Sequence, residues 1–226
     1  VTGLVSKIAF ESARNGISEL YTMNADGSGD TQVTFNSPAD VDFHASWSPD
    51  GSNIAFVSGR DGNLEIYVVG YDSGTQTRIT NNEGLDAHPA WSPDGTKIAF
   101  TSDVGGNNDI YSMNADGTDI VQLTSHDAID KNPAWSPDGE RIAFYTERDG
   151  VSEIYVMKTD GSEKTRLTNN TNHDRDPEWS PDGMRIAFHS LRDSNWEVYV
   201  MNSDGSGVTR VSANSSFDSA PEWSPD

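Results

Sequence analysis

The tetrapeptide Trp-Ser-Pro-Asp stands at Trp47, Trp91, Trp135, Trp179 and Trp223, 44 residues apart each time. Ile-Ala-Phe keeps nearly the same phase, beginning at Ile8, Ile54, Ile98, Ile142 and Ile186, and Tyr21, Tyr67, Tyr111, Tyr155 and Tyr199 follow it. A chain made of one repeated unit buries each copy's apolar face against the next copy. Short strand-like runs with a period of 44 residues match one four-stranded propeller blade.

The third copy shows the strands. Strand A covers residues 88–92, and Ser92-Pro93-Asp94-Gly95 forms a turn with Pro and Gly where a type I turn favours them. Strand B covers 97–102, strand C 109–113 and strand D 120–124, with the Asp-Gly of Asn114-Ala115-Asp116-Gly117 marking the C–D hairpin. Gly and Pro recur too often to leave room for a long helix.

The ends suggest closure. Ile8 has no Trp before it and Trp223 has no Ile after it, so the chain starts at strand B of one blade and stops at strand A of another. We therefore expect an all-β, five-bladed β-propeller with four antiparallel strands per blade, the C-terminal strand joining the N-terminal blade to close the ring. Closure would remove exposed sheet edges. On this reading 1–226 is a single domain. Blade 1 combines 1–36 with 217–226, and blades 2 to 5 cover 41–80, 85–124, 129–168 and 173–212. The rival reading is an open stretch of a longer array. Val1 is not an initiator, as expected where a leader or a larger parent has been removed.

The stretch 174–206, DRDPEWSPDGMRIAFHSLRDSNWEVYVMNSDGS, contains nearly the whole unit and closely resembles the WD-like repeat of the TolB propeller family. The resemblance covers essentially the full chain. It implies a propeller and a periplasmic or extracellular location. For TolB itself it implies six blades, a second α/β domain, and lipoprotein and colicin partners. Related repeats in peptidases and polysaccharide lyases make it less specific for function than for fold.

Charge narrows the partners. With 36 acidic and 15 basic side chains the net charge is −21, which disfavours nucleic acid. No apolar run is long enough for a membrane-spanning helix. The absence of Cys excludes disulfides and thiolate sites. Neither a G-x-S-x-G elbow nor H-E-x-x-H is present, so catalysis has little support.

Repeated positions build the scaffold, and function is expected where the copies differ, at the end carrying the B–C and D–A loops. The partner-binding candidates there are Phe43, His44, His88, Lys131, Asn132, Arg175, Asp176, Trp196 and Phe217. This mixture of rings, imidazoles and charges suits a protein or peptide partner, or a glycan. Asp42, Asp86, Asp130, Asp174 and Asp218 stand five residues before each Trp. They are read as loop-fixing hydrogen bonders to backbone N–H groups, or as a candidate ring of carboxylates for calcium. The Asn24–Asp30 stretch, NADGSGD, lacks the spacing of a calcium loop. Arg14, Arg60, Arg148 and Arg192 are expected to pair across the B–C hairpin with Glu19, Glu65, Glu153 and Glu197, exposed and worth about 0–1 kcal/mol. The favoured function is a non-enzymatic binding or scaffold module. The alternatives are a metal-assisted polysaccharide lyase or hydrolase, with His44 and His88 as ligands beside Asn132 and Asp176, and a structural subunit that stacks into an oligomer.

Overall fold

The computed structural model describes residues 7–35 and 40–224. Its strands fall into five antiparallel sheets, without helices among the described residues. The first holds β1 (Lys7–Ser12), β2 (Glu19–Asn24) and β3 (Thr31–Gln32). The second holds β4 (Asp42–Trp47), β5 (Asn53–Ser58), β6 (Glu65–Gly70) and β7 (Gln76–Arg78). The third holds β8 (Asp86–Trp91), β9 (Lys97–Ser102), β10 (Asp109–Asn114) and β11 (Val121–Gln122). The fourth holds β12 (Asp130–Trp135), β13 (Arg141–Thr146), β14 (Glu153–Lys158) and β15 (Thr165–Arg166). The fifth holds β16 (Asp174–Trp179), β17 (Arg185–Ser190), β18 (Glu197–Asn202) and β19 (Thr209–Arg210). The fold is the expected all-β, five-bladed propeller. In the third copy strand A starts two residues earlier than expected and strand D shrinks to two residues.

Within each complete blade the chain runs outward. The first strands of neighbouring blades, β4, β8, β12 and β16, contact one another in sequence, so strand A lines the axis. Each of these inner strands slips register once against strand B, between Phe43 and Ser46, Ala87 and Ala90, Lys131 and Ala134, and Arg175 and Glu178. At that bulge His44, His88, Asn132 and Asp176 take left-handed backbone, with φ of 53°, 52°, 54° and 51°. Outside glycine this conformation is rare, and His, Asn and Asp are enriched in it. Pro89, Pro133 and Pro177 occupy the next bulge position, where no ladder donor is needed.

The core lies between blades. Ala55 and Ile66 of the second blade pack with Ile98, Phe100, Tyr111 and Met113 of the third, with Trp91 against them. Equivalent clusters join the first blade to the second, the third to the fourth and the fourth to the fifth. The tryptophans therefore pack at blade interfaces, and Arg141 lies 4.8 Å over the Trp179 ring of the next blade. Approach at these interfaces is close: a Cβ on Gly117, whose φ is +85°, would lie 2.5 Å from the Ile79 carbonyl oxygen of the preceding blade. The Asp of the repeated turns acts locally. Asp50 accepts Ser48 Oγ and the Ser52 amide, and Asp26 accepts the Ser28 amide.

The expected closing pair is not made among the described residues. The first sheet has three strands, and 211–224 contains none. Residues 1–6, 36 and 225–226 of the expected first blade lie outside the described residues. The segment 217–224 sits instead against the fifth blade. Trp223 Nε1 donates to the Glu178 carbonyl at 3.1 Å, just as Trp135 Nε1 donates to Ala90 O. Ala220 keeps the left-handed bulge, with φ 49°. Ile8 is 41% exposed, whereas its counterparts Ile54, Ile98, Ile142 and Ile186 are wholly buried. The side chains between adjacent sheets set the turn from blade to blade. Among the described residues β2 is the one strand paired with β1.

Candidate functional site

The B–C and D–A loops meet at one end, as strand alternation requires. Asn63 Nδ2, in a B–C loop, donates to the carbonyls of Asn82 and Gly84 in the following D–A loop. Asn107 and Asn195 repeat the tie. Sequence reasoning passed over these asparagines, although Asn recurs there in three copies and Val151 replaces it in the fourth.

The left-handed bulge carries four of the predicted site residues to the axis. The rings of His44 and His88 stack with centroids 4.2 Å apart, and Phe43 meets His44 edge-on at 4.7 Å. Both histidines have a buried Nδ1 with no hydrogen-bond partner among the described residues. Burial holds them neutral, lowering His44 to about 4 and His88 to about 3, the latter also depressed by the neighbouring His44 and Lys131 charges. Further round the axis Asn132 Nδ2 donates to Asp176 Oδ1 at 2.6 Å. Burial raises the Asp176 carboxyl to about 6, against the pull of Arg175. Asp176 also lies 3.4 Å from His189 Nδ1, itself lowered to about 4 by burial.

From His189 an aromatic cluster runs outward. Trp196 packs edge-on to His189 at 4.6 Å and to Phe217 at 6.1 Å. Arg175 lies over Trp196 and Tyr145, and its guanidinium also binds Ser152 Oγ and Glu147. Phe217 remains 62% exposed. Phe43–His44–His88 thus forms one arc and Asn132–Asp176–His189–Trp196–Phe217 another, with Arg175 on the second. Lys131 acts on the first arc through its charge, which lowers His88, and among the described residues it makes no ring contact or side-chain hydrogen bond to either arc. His189 and Tyr145 were missed because they lie in strand B, where residues were assigned to the core.

The five aspartates do not form a common ligand set. No group of three His, Asp or Glu among the described residues is arranged to hold a metal. Each aspartate serves its own module. Asp42, Asp130 and Asp174 are buried and accept Arg60, Arg148 and Arg192 at 3.0, 3.1 and 2.9 Å. Asp86, Asp174 and Asp218 accept the side-chain amides of Asn82, Asn170 and Asn214. These partners are side chains rather than the backbone N–H groups expected.

The hairpin arginines also have different partners from those expected. Arg60 turns inward to Asp42, while Glu65 accepts Arg78, Thr80 Oγ1 and the Asn82 amide. Glu153 and Glu197 repeat that pattern with Arg166 and Arg210. These carboxylates are buried. The spacing suggested a surface pair because sequence does not show that strand D and the preceding loop supply the nearer partners.

The third blade departs from this scheme. Val104 stands where Arg60, Arg148 and Arg192 stand, so Asp86 is buried beside no guanidinium of its own B–C loop. Burial lifts its carboxyl to about 6, with Ser102, Thr80 and Asn82 hydrogen bonds opposing the rise.

The sequence of this chain matches a known family. The family model of the TolB beta propeller domain matches residues 39–133 and 122–226. The chain belongs to the TolB beta propeller domain family. TolB from Acinetobacter baumannii superposes with a TM-score of 0.81 at 27% identity, over 94% of this chain and 54% of that one. A protein assigned to TolB from Agrobacterium tumefaciens gives 0.75 at 28% identity, over 85% of this chain and 73% of that one. This TolB-family chain thus spans about half the length of the first of these structures. An oligogalacturonate lyase from Vibrio parahaemolyticus shares the fold, with a TM-score of 0.68 at 16% identity over 91% of this chain and 61% of that one. No curated protein sequence matches the chain.

Proposed function

We propose that this TolB-family propeller is a non-enzymatic module that binds a protein or peptide through the B–C and D–A loop end and the mouth of its channel. One observation carries the reading: the exposed Phe217 ring sits on Trp196, which is itself backed by His189 and Arg175. Aromatic anchors braced by a polar surround are the usual centre of a protein interface. Family membership supports the reading and favours a periplasmic setting. A glycan would use the same aromatic face. The metal-dependent lyase alternative has less support, since His44 and His88 stack on each other and no group of three His, Asp or Glu among the described residues is arranged to hold a metal.

The test is retention of envelope proteins by immobilised wild-type chain and by a Trp196→Ala/Phe217→Ala variant of equal melting temperature. A defined protein held by the wild type and lost by the variant supports the reading. Equal retention by both, or none by either, removes it.

A further inference from the structure

Strand B opens on Lys7, Asn53, Lys97, Arg141 and Arg185 in the five blades, a cation in every copy but the second. In the fourth blade that cation covers a ring: the Arg141 guanidinium lies 4.8 Å over Trp179 of the fifth blade, and Trp179 is only 3% exposed. In the first blade Lys7 lies 6.0 Å over Tyr71, whose ring packs edge-on to Trp47 at 5.1 Å. In the third blade Lys97 Nζ donates to Asn114 Oδ1 at 3.2 Å.

The junction of the second and third blades has neither cover. Asn53 is too short to lie over Trp91, and Ala115 stands 44 residues after Tyr71, at the same place in the repeat. A cavity of about 430 Å³ lies there, lined by Trp91, Asn53, Ala115 and three aspartates, Asp50, Asp94 and Asp116. No lysine or arginine lines it among the described residues. Hydrogen bonds from Ser48 and Ser52 hold Asp50 down to about 2. Those from Ser92 and Thr96 lower Asp94, and those from Thr118 lower Asp116. All three carboxylates therefore stay ionised at neutral pH, around a partly buried indole.

We propose that this cleft is a binding site for the arginine side chain of a peptide or protein partner, its guanidinium stacking on Trp91 and facing the three carboxylates. The molecule supplies its own template in Arg141 on Trp179. Trp is the best aromatic partner for a cation, and the planar guanidinium suits it. The net charge of −21 draws a basic partner toward this face. The cleft lies at the end carrying the A–B and C–D turns, opposite the B–C and D–A loops, and goes beyond the reading of that loop end.

The probe is acetyl-Gly-Arg-Gly-amide, titrated into nitrogen-labelled chain and followed by NMR. A saturable shift of the Trp91 indole N–H and of the Gly95 and Ala115 amides is expected. The same peptide with citrulline, which keeps the shape without the charge, should give none. Asn53→Arg sets the chain's own guanidinium in the cleft and should weaken binding about tenfold or more, with no loss of melting temperature. Asp94→Asn/Asp116→Asn keeps an acceptor in each turn and should weaken it about threefold. Equal shifts with citrulline, undiminished binding in Asn53→Arg, or no saturable shift at millimolar peptide would overturn the proposal. None of these outcomes involves Trp196 or Phe217, so the loop-end reading stands or falls separately.

Discussion

His44 stacks on His88 across two neighbouring inner strands, centroids 4.2 Å apart, with each Nδ1 buried away from any hydrogen-bond partner among the described residues. The folded chain resists protonating either ring, whereas the unfolded chain takes up protons near pH 6.5. Their contribution therefore opposes folding increasingly as pH falls from 6.5 toward 4, and is absent above 7. His44→Asn/His88→Asn keeps residues suited to the left-handed bulge, as Asn132 shows. The variant should lose less melting temperature than the wild type between pH 7 and pH 4.5, measured by circular dichroism in matched buffers.

Asp86 supplies the opposite sign. Its folded pKa of about 6 lies above the ordinary aspartate value, so ionisation costs stability as pH rises between about 4 and 6. Val104→Arg places a guanidinium where Arg60 meets Asp42. It should stabilise the chain by about 1–2 kcal/mol in urea unfolding at pH 7. The gain should grow between pH 4 and pH 6 and then level off. A flat gain across that range would mean that the new side chain acts elsewhere.

The blade interfaces should be intolerant of truncation. Phe144 is fully buried between the third and fourth blades, and Phe144→Ala is expected to cost about 3–5 kcal/mol. Denaturant unfolding at 25 °C measures this directly. A loss under about 1 kcal/mol would show that the interface repacks.

Ala220 is the one inner-strand bulge residue whose side chain gains nothing from left-handed backbone. Ala220→Gly should relieve about 1 kcal/mol of strain and slow amide exchange through 217–224. Unchanged exchange in that segment would count against its inner-strand form.

Repetition made the architecture readable. Five Trp-Ser-Pro-Asp turns fix where strands begin, and Ile-Ala-Phe marks the buried strand B. The angle between blades is not written in any local motif, because it emerges from packing between sheets. Closure was therefore inferred from the complementarity of the ends, and among the described residues the first sheet keeps three strands. The site was half legible. His44, His88, Asn132 and Asp176 stand out by type, but much of that signal comes from the backbone: left-handed φ favours these residue types whatever they touch. His189 and Tyr145 were invisible because their strand is otherwise core. The inward turn of Arg60 to Asp42 was hidden because 18 residues of chain separate the partners.

The bulge separates two jobs that most lining positions must share. A fixed kink in every inner strand holds one side chain at the axis while the flanking ladder bears the fold. The chemistry of the bore can then be rewritten one letter per module, and a lineage carrying this scaffold can exchange imidazole for amide or carboxylate without renegotiating the architecture around it.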